Sequence, residues 1–137
     1  MSAGIIKGET GTQRLLGYVL DVGRGDGRAR CRLRLTDDHT NRHGAVHGGI
    51  VASVLDNALG ATASLSVDDT GMAPFLTVSM TVNFLAPAYA GDVLDAVGLL
   101  RGGGRSTVFV EGEVRAGETL IATATGVFKR VPQERVR

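Results

Sequence analysis

A chain of 137 residues, 43% hydrophobic and 21% charged with a formal charge of +1, is sized for one domain with its own core. The near-neutral balance gives no electrostatic case for nucleic acid, and no apolar run is long enough to span a bilayer, so no membrane partner is expected. The single Cys31 excludes an internal disulfide framework.

No charged segment followed by an apolar one opens the chain, so a secretory leader is not expected and a cytoplasmic location is the default. The 20 glycines follow no period and mostly punctuate. One domain is expected over residues 1–137, with frayed ends at 1–11 and 131–137.

The first strand is expected in Leu-Gly-Tyr-Val-Leu-Asp-Val, residues 16–22, and Gly-Arg-Gly-Asp-Gly supplies a hairpin connection. The second strand alternates strictly, with Arg28, Arg30, Arg32 and Arg34 on one face and Ala29, Cys31, Leu33 and Leu35 on the other. That arginine row could grip phosphates, but a solvated outer face or oligomer contact paired with Glu111 and Glu113 is the plainer reading.

A long helix follows the Asn41–Gly49 stretch. Four further strands are expected at Phe75–Leu85, Val93–Leu100, Thr107–Val114 and Leu120–Lys129. In the first of these, Val78, Met80, Val82 and Phe84 alternate with Thr77, Ser79, Thr81 and Asn83. Consecutive antiparallel strands around one buried helix make an α+β domain whose sheet wraps the helix on one side.

Within the helix, Val46, Ile50, Val51, Val54, Leu55, Ala58 and Leu59 form an apolar stripe at helical spacing. Ser53, Asp56, Gly60 and Ser64 form a narrower stripe beside it. Asp56 is therefore an acid amid small residues, and two readings compete. It is either a carboxylate satisfied by a hydroxyl or amide of a neighbouring strand, or a nucleophile or base tuned by burial.

The helix start at His47 and Gly48 offers unpaired N–H groups and the positive end of the dipole, which suit a negatively charged oxygen. Gly48 precedes Asp56 by eight residues, about 12 Å along a helix. Within one chain the two cannot meet on one carbonyl. Two chains with antiparallel helices could bring the start of one helix beside the middle of the other, which implies a dimer with composite sites.

The string Asn-Arg-His-Gly-Ala-Val-His-Gly-Gly at 41–49 is followed by an Asp fifteen residues after its Asn. Thr-Val-Ser-Met-Thr-Val-Asn-Phe-Leu-Ala-Pro-Ala-Tyr-Ala-Gly-Asp at 77–92 and Gly-Gly-Gly-Arg-Ser at 102–106 complete the set. Together these resemble the hotdog-fold acyl-coenzyme A thioesterases of the PaaI-like, phenylacetate-pathway type, over residues 15–130. A lone His-Gly-Gly would be weak; the combined spacing is specific.

The resemblance implies that Asn41 holds or polarises a thioester and that the Gly48 N–H, within His47-Gly48-Gly49, donates to its oxygen. It implies that Asp56 of the partner chain is nucleophile or general base, that Thr77 orients water or the carboxylate, and that Gly103, Gly104 and Arg105 lie near the coenzyme. His47 either positions the loop or touches substrate. Pocket walls are expected from Val46, Leu55, Leu59 and Met72. Coenzyme A is then part of the substrate and no separate cofactor is needed. A homotetramer built from dimers is implied by resemblance alone.

Tetrahedral oxyanions are well served by one aimed N–H donor, and a carboxylate can attack or deliver water without a metal. A metal on His39, His43 and His47 would need a continuous helix there, which Gly44 and the turn-forming Asp-Asp-His-Thr-Asn argue against. A Ser53 triad lacks the nucleophile-elbow pattern. Two rivals of other kinds are a non-catalytic acyl-CoA sensor and an acyl-CoA dehydratase of the same fold.

Overall fold

The protein is described by a computed structural model over residues 3–132. Its strands are β1 (Ile5–Ile6), β2 (Val19–Asp21), β3 (Arg30–Arg34), β4 (Phe75–Phe84), β5 (Val93–Gly103), β6 (Thr107–Ala116) and β7 (Thr119–Arg130). Its helices are α1 (Gly11–Leu16) and α2 (Gly48–Leu65), with a short 3-10 turn at Asp37–His39. All seven strands form one antiparallel sheet in the order β1-β2-β3-β5-β6-β7-β4. This is the α+β hotdog arrangement expected from the sequence.

The strand order explains where α2 lies. The chain leaves β3 near one side of the sheet and re-enters at β4, the opposite edge, so α2 must cross the sheet between them. It buries Val51, Val54, Leu55, Ala58 and Leu59 against alternate residues of the strands below, among them Leu94, Ala96, Val110, Val114, Ala122 and Phe128. The close approach is made by missing side chains. A Cβ on Gly112 would strike Leu59 and the Val97 carbonyl, and one on Gly98 would strike Thr62 and the Ala58 carbonyl. The Thr62 hydroxyl uses that proximity, accepting from Ala29 N at 3.0 Å and donating to Ala58 O at 2.8 Å.

Several expectations are corrected. Residues 3–11 are built into the fold: β1 pairs with β2, and Gln13, fully buried, donates from Nε2 to the Ile6 and Tyr18 carbonyls and accepts from Glu9 N. Leu16 ends α1, so the first long strand shrinks to Val19–Asp21. Of the expected C-terminal fray, Val131 bonds the Pro74 carbonyl, and 133–137 lie outside the described residues.

The arginine row pairs elsewhere than expected, because β3 neighbours β5 and not β6. Arg32 meets Asp95 at 2.9 Å and Arg30 meets Asp26, while Glu111 and Glu113 face Arg101 and Arg115. Arg28 donates to the Gly98 carbonyl.

Strict alternation also fails in β4. A bulge between Thr77 and Ser79 turns Thr77 toward α2 and leaves Val78 exposed. Val46 precedes the helix, held by a bond from its N–H to the Ala88 carbonyl.

Candidate active site

The loop before α2 is shaped by short-range bonds. Asn41 Oδ1 accepts from His43 N at 2.8 Å and Ala45 N at 3.2 Å, an Asx-type turn closed by Asn41 N donating to Ala45 O at 2.7 Å. Gly44 turns the chain at φ 83°, a conformation that costs a glycine little. Asn41 is exposed, and its side-chain Nδ2 makes no hydrogen bond among the described residues.

His39 is buried and fully engaged. Its Nδ1 accepts from Thr36 N at 2.9 Å, which places the proton on Nε2, and Nε2 donates to the Leu16 carbonyl at 2.9 Å. The ring thus ties the loop to α1. His47 caps α2, its Nδ1 accepting from Gly49 N at 2.9 Å. No group of three or more ligating side chains, the three histidines included, occurs among the described residues.

Capping leaves one donor over. Gly49 N is taken by His47, and Ile50 N and Val51 N bond the His47 carbonyl. Gly48 N has no acceptor among the described residues, at the positive end of an 18-residue helix. The Phe84 ring stands against this glycine: a Cβ there would lie 3.5 Å from it.

Two turns along α2, Asp56 Oδ1 accepts from Thr77 Oγ1 at 2.6 Å. The carboxylate is half-buried, not enclosed as the sequence suggested. Its neighbour Asn57 is fixed from both sides, accepting from the Tyr18 hydroxyl at 2.9 Å and donating to the Ser53 carbonyl at 2.8 Å. Tyr18 itself is buried, and that burial raises its pKa above the ordinary value. This bond locks the rotation of α2 that points Asp56 at β4.

One protomer therefore holds two half-sites on the same side of α2. Asp56 and Thr77 lie at the start of β4, while Gly48 lies at its far end beside Phe84, with His47 and Asn41 in the loop that leads into it.

The model of the thioesterase superfamily matches residues 43–123, which contain both half-sites except Asn41. The chain belongs to the thioesterase superfamily. It is 32% identical to human acyl-coenzyme A thioesterase 13 over 80 residues, 58% of this chain and 55% of that protein, so it spans little more than half the length of this relative.

Among solved structures, a conserved protein of Pseudomonas aeruginosa, PA5202, superposes with a TM-score of 0.79 at 29% identity, covering 89% of this chain and 94% of the other. The Escherichia coli PaaI protein from the phenylacetic acid degradation operon superposes at 0.76 with 23% identity, over 90% and 86%, a likeness of fold. The thioesterase kinship expected from the sequence holds, and the hotdog fold with it.

The remaining site residues of this thioesterase-superfamily chain fall in three places. Gly103, Gly104 and Arg105 close the β5–β6 hairpin, with Gly104 N bonded to the Thr107 carbonyl. Beside them a depression of about 510 Å³ is lined by Ser66, Val67, Gly104, Arg105 and Arg130. Arg130 was not anticipated; its place at the end of β7 opposite Phe75, the start of β4, makes it Arg105's neighbour.

Leu55 and Leu59, expected as pocket walls, have no solvent exposure and belong to the core beneath α2. Val46 is buried, and Met72 is 55% exposed on the connection to β4. The four do not line an open cavity within one protomer. Phe84 and Tyr89, which periodicity treated as ordinary strand and loop residues, are instead exposed apolar groups beside the loop and helix start, Phe84 against Gly48 and Tyr89 paired with Ala45.

Proposed function

We propose that the protein hydrolyses acyl-coenzyme A thioesters, of small aryl or acyl groups, to the free acid and coenzyme A at a site shared between two protomers. The observation that carries this reading is the pairing of an Asp56 carboxylate held by Thr77 with an unused Gly48 N–H at the opposite end of the same strand. The thioester oxygen sits on the Gly48 N–H and near Asn41 of one chain, and Asp56 of the other attacks the carbonyl or draws a proton from water. As the tetrahedral oxyanion forms, charge develops at the N–H, which is already aimed and needs no reorganisation.

Thr77 supports Asp56 by donating to one carboxylate oxygen, leaving the other for the reaction. The apolar ring of Phe84, which stands against Gly48, shields the donor from water. The depression beside Gly104, Arg105 and Arg130 suits the phosphates of the coenzyme, to which two guanidinium groups are complementary. Coenzyme A is part of the substrate, the minimal active unit is a dimer, and the resemblance to the hotdog thioesterases supports a tetramer of two such dimers.

Thiol release from a panel of aromatic, short and long acyl-CoAs, with Asp56→Ala run in parallel, tests the reading. Turnover by wild type that collapses in the variant is the expected result. Coenzyme A esters that bind tightly without turning over would overturn hydrolysis in favour of a sensor.

A further inference from the structure

We propose that the corner formed by α1 and Tyr18 is a positioning brace for the reaction, tied by one hydrogen-bonded arm to the acid half-site of its own chain and by another to the donor half-site. The inference rests on the hydrolytic reading. It concerns residues 11–18, which lie outside the superfamily match at 43–123.

The acid arm starts at the Tyr18 hydroxyl, which donates to Asn57 Oδ1 at 2.9 Å, and Asn57 Nδ2 in turn donates to the Ser53 carbonyl at 2.8 Å. Asn57 and Asp56 are consecutive, so they point about 100° apart around α2. Tyr18 leads into β2, near one edge of the sheet, whereas Thr77, which holds Asp56 at 2.6 Å, belongs to β4 at the opposite edge. The helix is thus tethered from both flanks. Leu55 and Leu59 set its depth over the sheet, and the two tethers set which way Asp56 faces.

The donor arm starts two residues before Tyr18. The Leu16 carbonyl accepts from His39 Nε2 at 2.9 Å, the His39 carbonyl accepts from His47 N at 2.8 Å, and His47 Nδ1 accepts from Gly49 N at 2.9 Å. The arms meet again on α2, where Ser53 Oγ donates to the Gly49 carbonyl at 2.8 Å. Together they close a ring of bonds through α1, the loop and the start of α2. Gly48 sits between two members of that ring, and Asp56 sits next to a third. The corner is itself held, since Gln13, 2% exposed, donates from Nε2 to the Ile6 and Tyr18 carbonyls.

The ring serves geometry more than folding. Ser53 and Asn57 are half-buried, so water can replace the partners they lose and the cost to the fold is small. Reaction geometry is less forgiving, because an ångström of misplacement can cost about two orders of magnitude in rate. In a two-fold dimer an error in the spacing of one chain's half-sites is repeated at both shared sites.

Tyr18→Phe keeps the buried ring and deletes only the hydroxyl. Thiol release per folded molecule is expected to show kcat about tenfold lower with KM unchanged, since the buried Tyr18 does not reach substrate. Asn57→Ala breaks the same arm at its next joint and is expected to lose as much. The double variant should lose no more than either single one, as two residues acting through one bond do. Losses that multiply in the double variant, or a lowered melting temperature with kcat per folded molecule at the wild-type value, would overturn the brace.

Ser53→Ala tests the closure of the ring. Alanine favours the helix, so a kcat about threefold lower is expected in a protein no less stable than wild type. An unchanged kcat would overturn the closure. Wild type that turns over no thioester would overturn the hydrolytic reading and the purpose of the brace with it, whereas wild-type turnover that Tyr18→Phe leaves intact would overturn the brace alone.

Discussion

The two sides of α2 meet the rest of the molecule in opposite ways. Toward β5, β6 and β7 the contact is closed: Val54, Leu55, Ala58, Leu59 and Thr62 have no solvent exposure, and the sheet gives up side chains at Gly98 and Gly112 so that backbone and helix touch. Toward β4 the contact is open, with half-buried Ser53 and Asp56, an unused Gly48 N–H, and Phe84 more than half exposed. One helix thus separates what holds the fold from what lines the candidate site. A polar group on the closed side would need a partner within the chain, as Thr62 has. On the open side a polar group can wait for substrate.

The separation predicts that substitutions on the two sides change different observables. Asp56→Asn should lower kcat by about three orders of magnitude, as loss of a positioned base or nucleophile does, with the melting temperature unchanged. Full activity in a normally folded Asp56→Asn protein would break the contrast. Gly112→Ala should do the reverse, destabilising the fold by about 1–3 kcal/mol through overpacking against Leu59 and the Val97 carbonyl. Denaturant midpoints check it, and activity per folded molecule should persist.

Smaller effects sharpen the boundary. Thr77→Val keeps the shape at the bulge but removes the 2.6 Å donor to Asp56. Its kcat should fall about tenfold, the size of one charge-assisted hydrogen bond at about 1.5 kcal/mol, and an unaltered pH-rate profile with unaltered kcat would exclude Thr77 from a positioning role.

The smallest effect lies on the connection between β2 and β3, at Asp26. There the Arg30 guanidinium bonds both carboxylate oxygens and holds the pKa at about 2, below the usual 3.8. A depressed folded pKa contributes stability that is present above pH 3.8 and is lost as pH falls toward about 2. Asp26→Asn should flatten that acid limb only slightly, since the pair is solvated.

How much of this was legible in the sequence follows the same division. The closed side is written in periodicity: the alternation of β3 and the apolar stripe of α2 correctly identify the core. What periodicity omits is adjacency. Leu55 and Leu59 read as pocket walls because an apolar face does not say which neighbour covers it, and Arg32 was assigned the wrong acids because alternation does not order strands.

Local exceptions were equally hidden. The bulge at Thr77 breaks the two-residue period at the one position where the hydroxyl must turn inward. Some missed signals were present: Thr10 caps α1 and Gly17 closes it in a left-handed conformation, a helix that lies between the expected frayed end at 1–11 and the expected strand from Leu16. The candidate site itself came from combined motif spacing.

The shared site is tested most directly by complementation between two disabled chains. Gly48→Pro deletes the N–H at the first position of α2, where proline is well tolerated. His47 is already extended at φ −66° and ψ 135°, as a residue before proline requires. This variant and Asp56→Asn should each be inactive alone. When the two are co-expressed, half of the dimers are hybrids with one of two composite sites intact, so activity should return to about one quarter of wild type. Hybrid dimers that form, shown by two-tag purification, yet recover no activity would contradict a site built from Asp56 of one protomer and Gly48 of its partner.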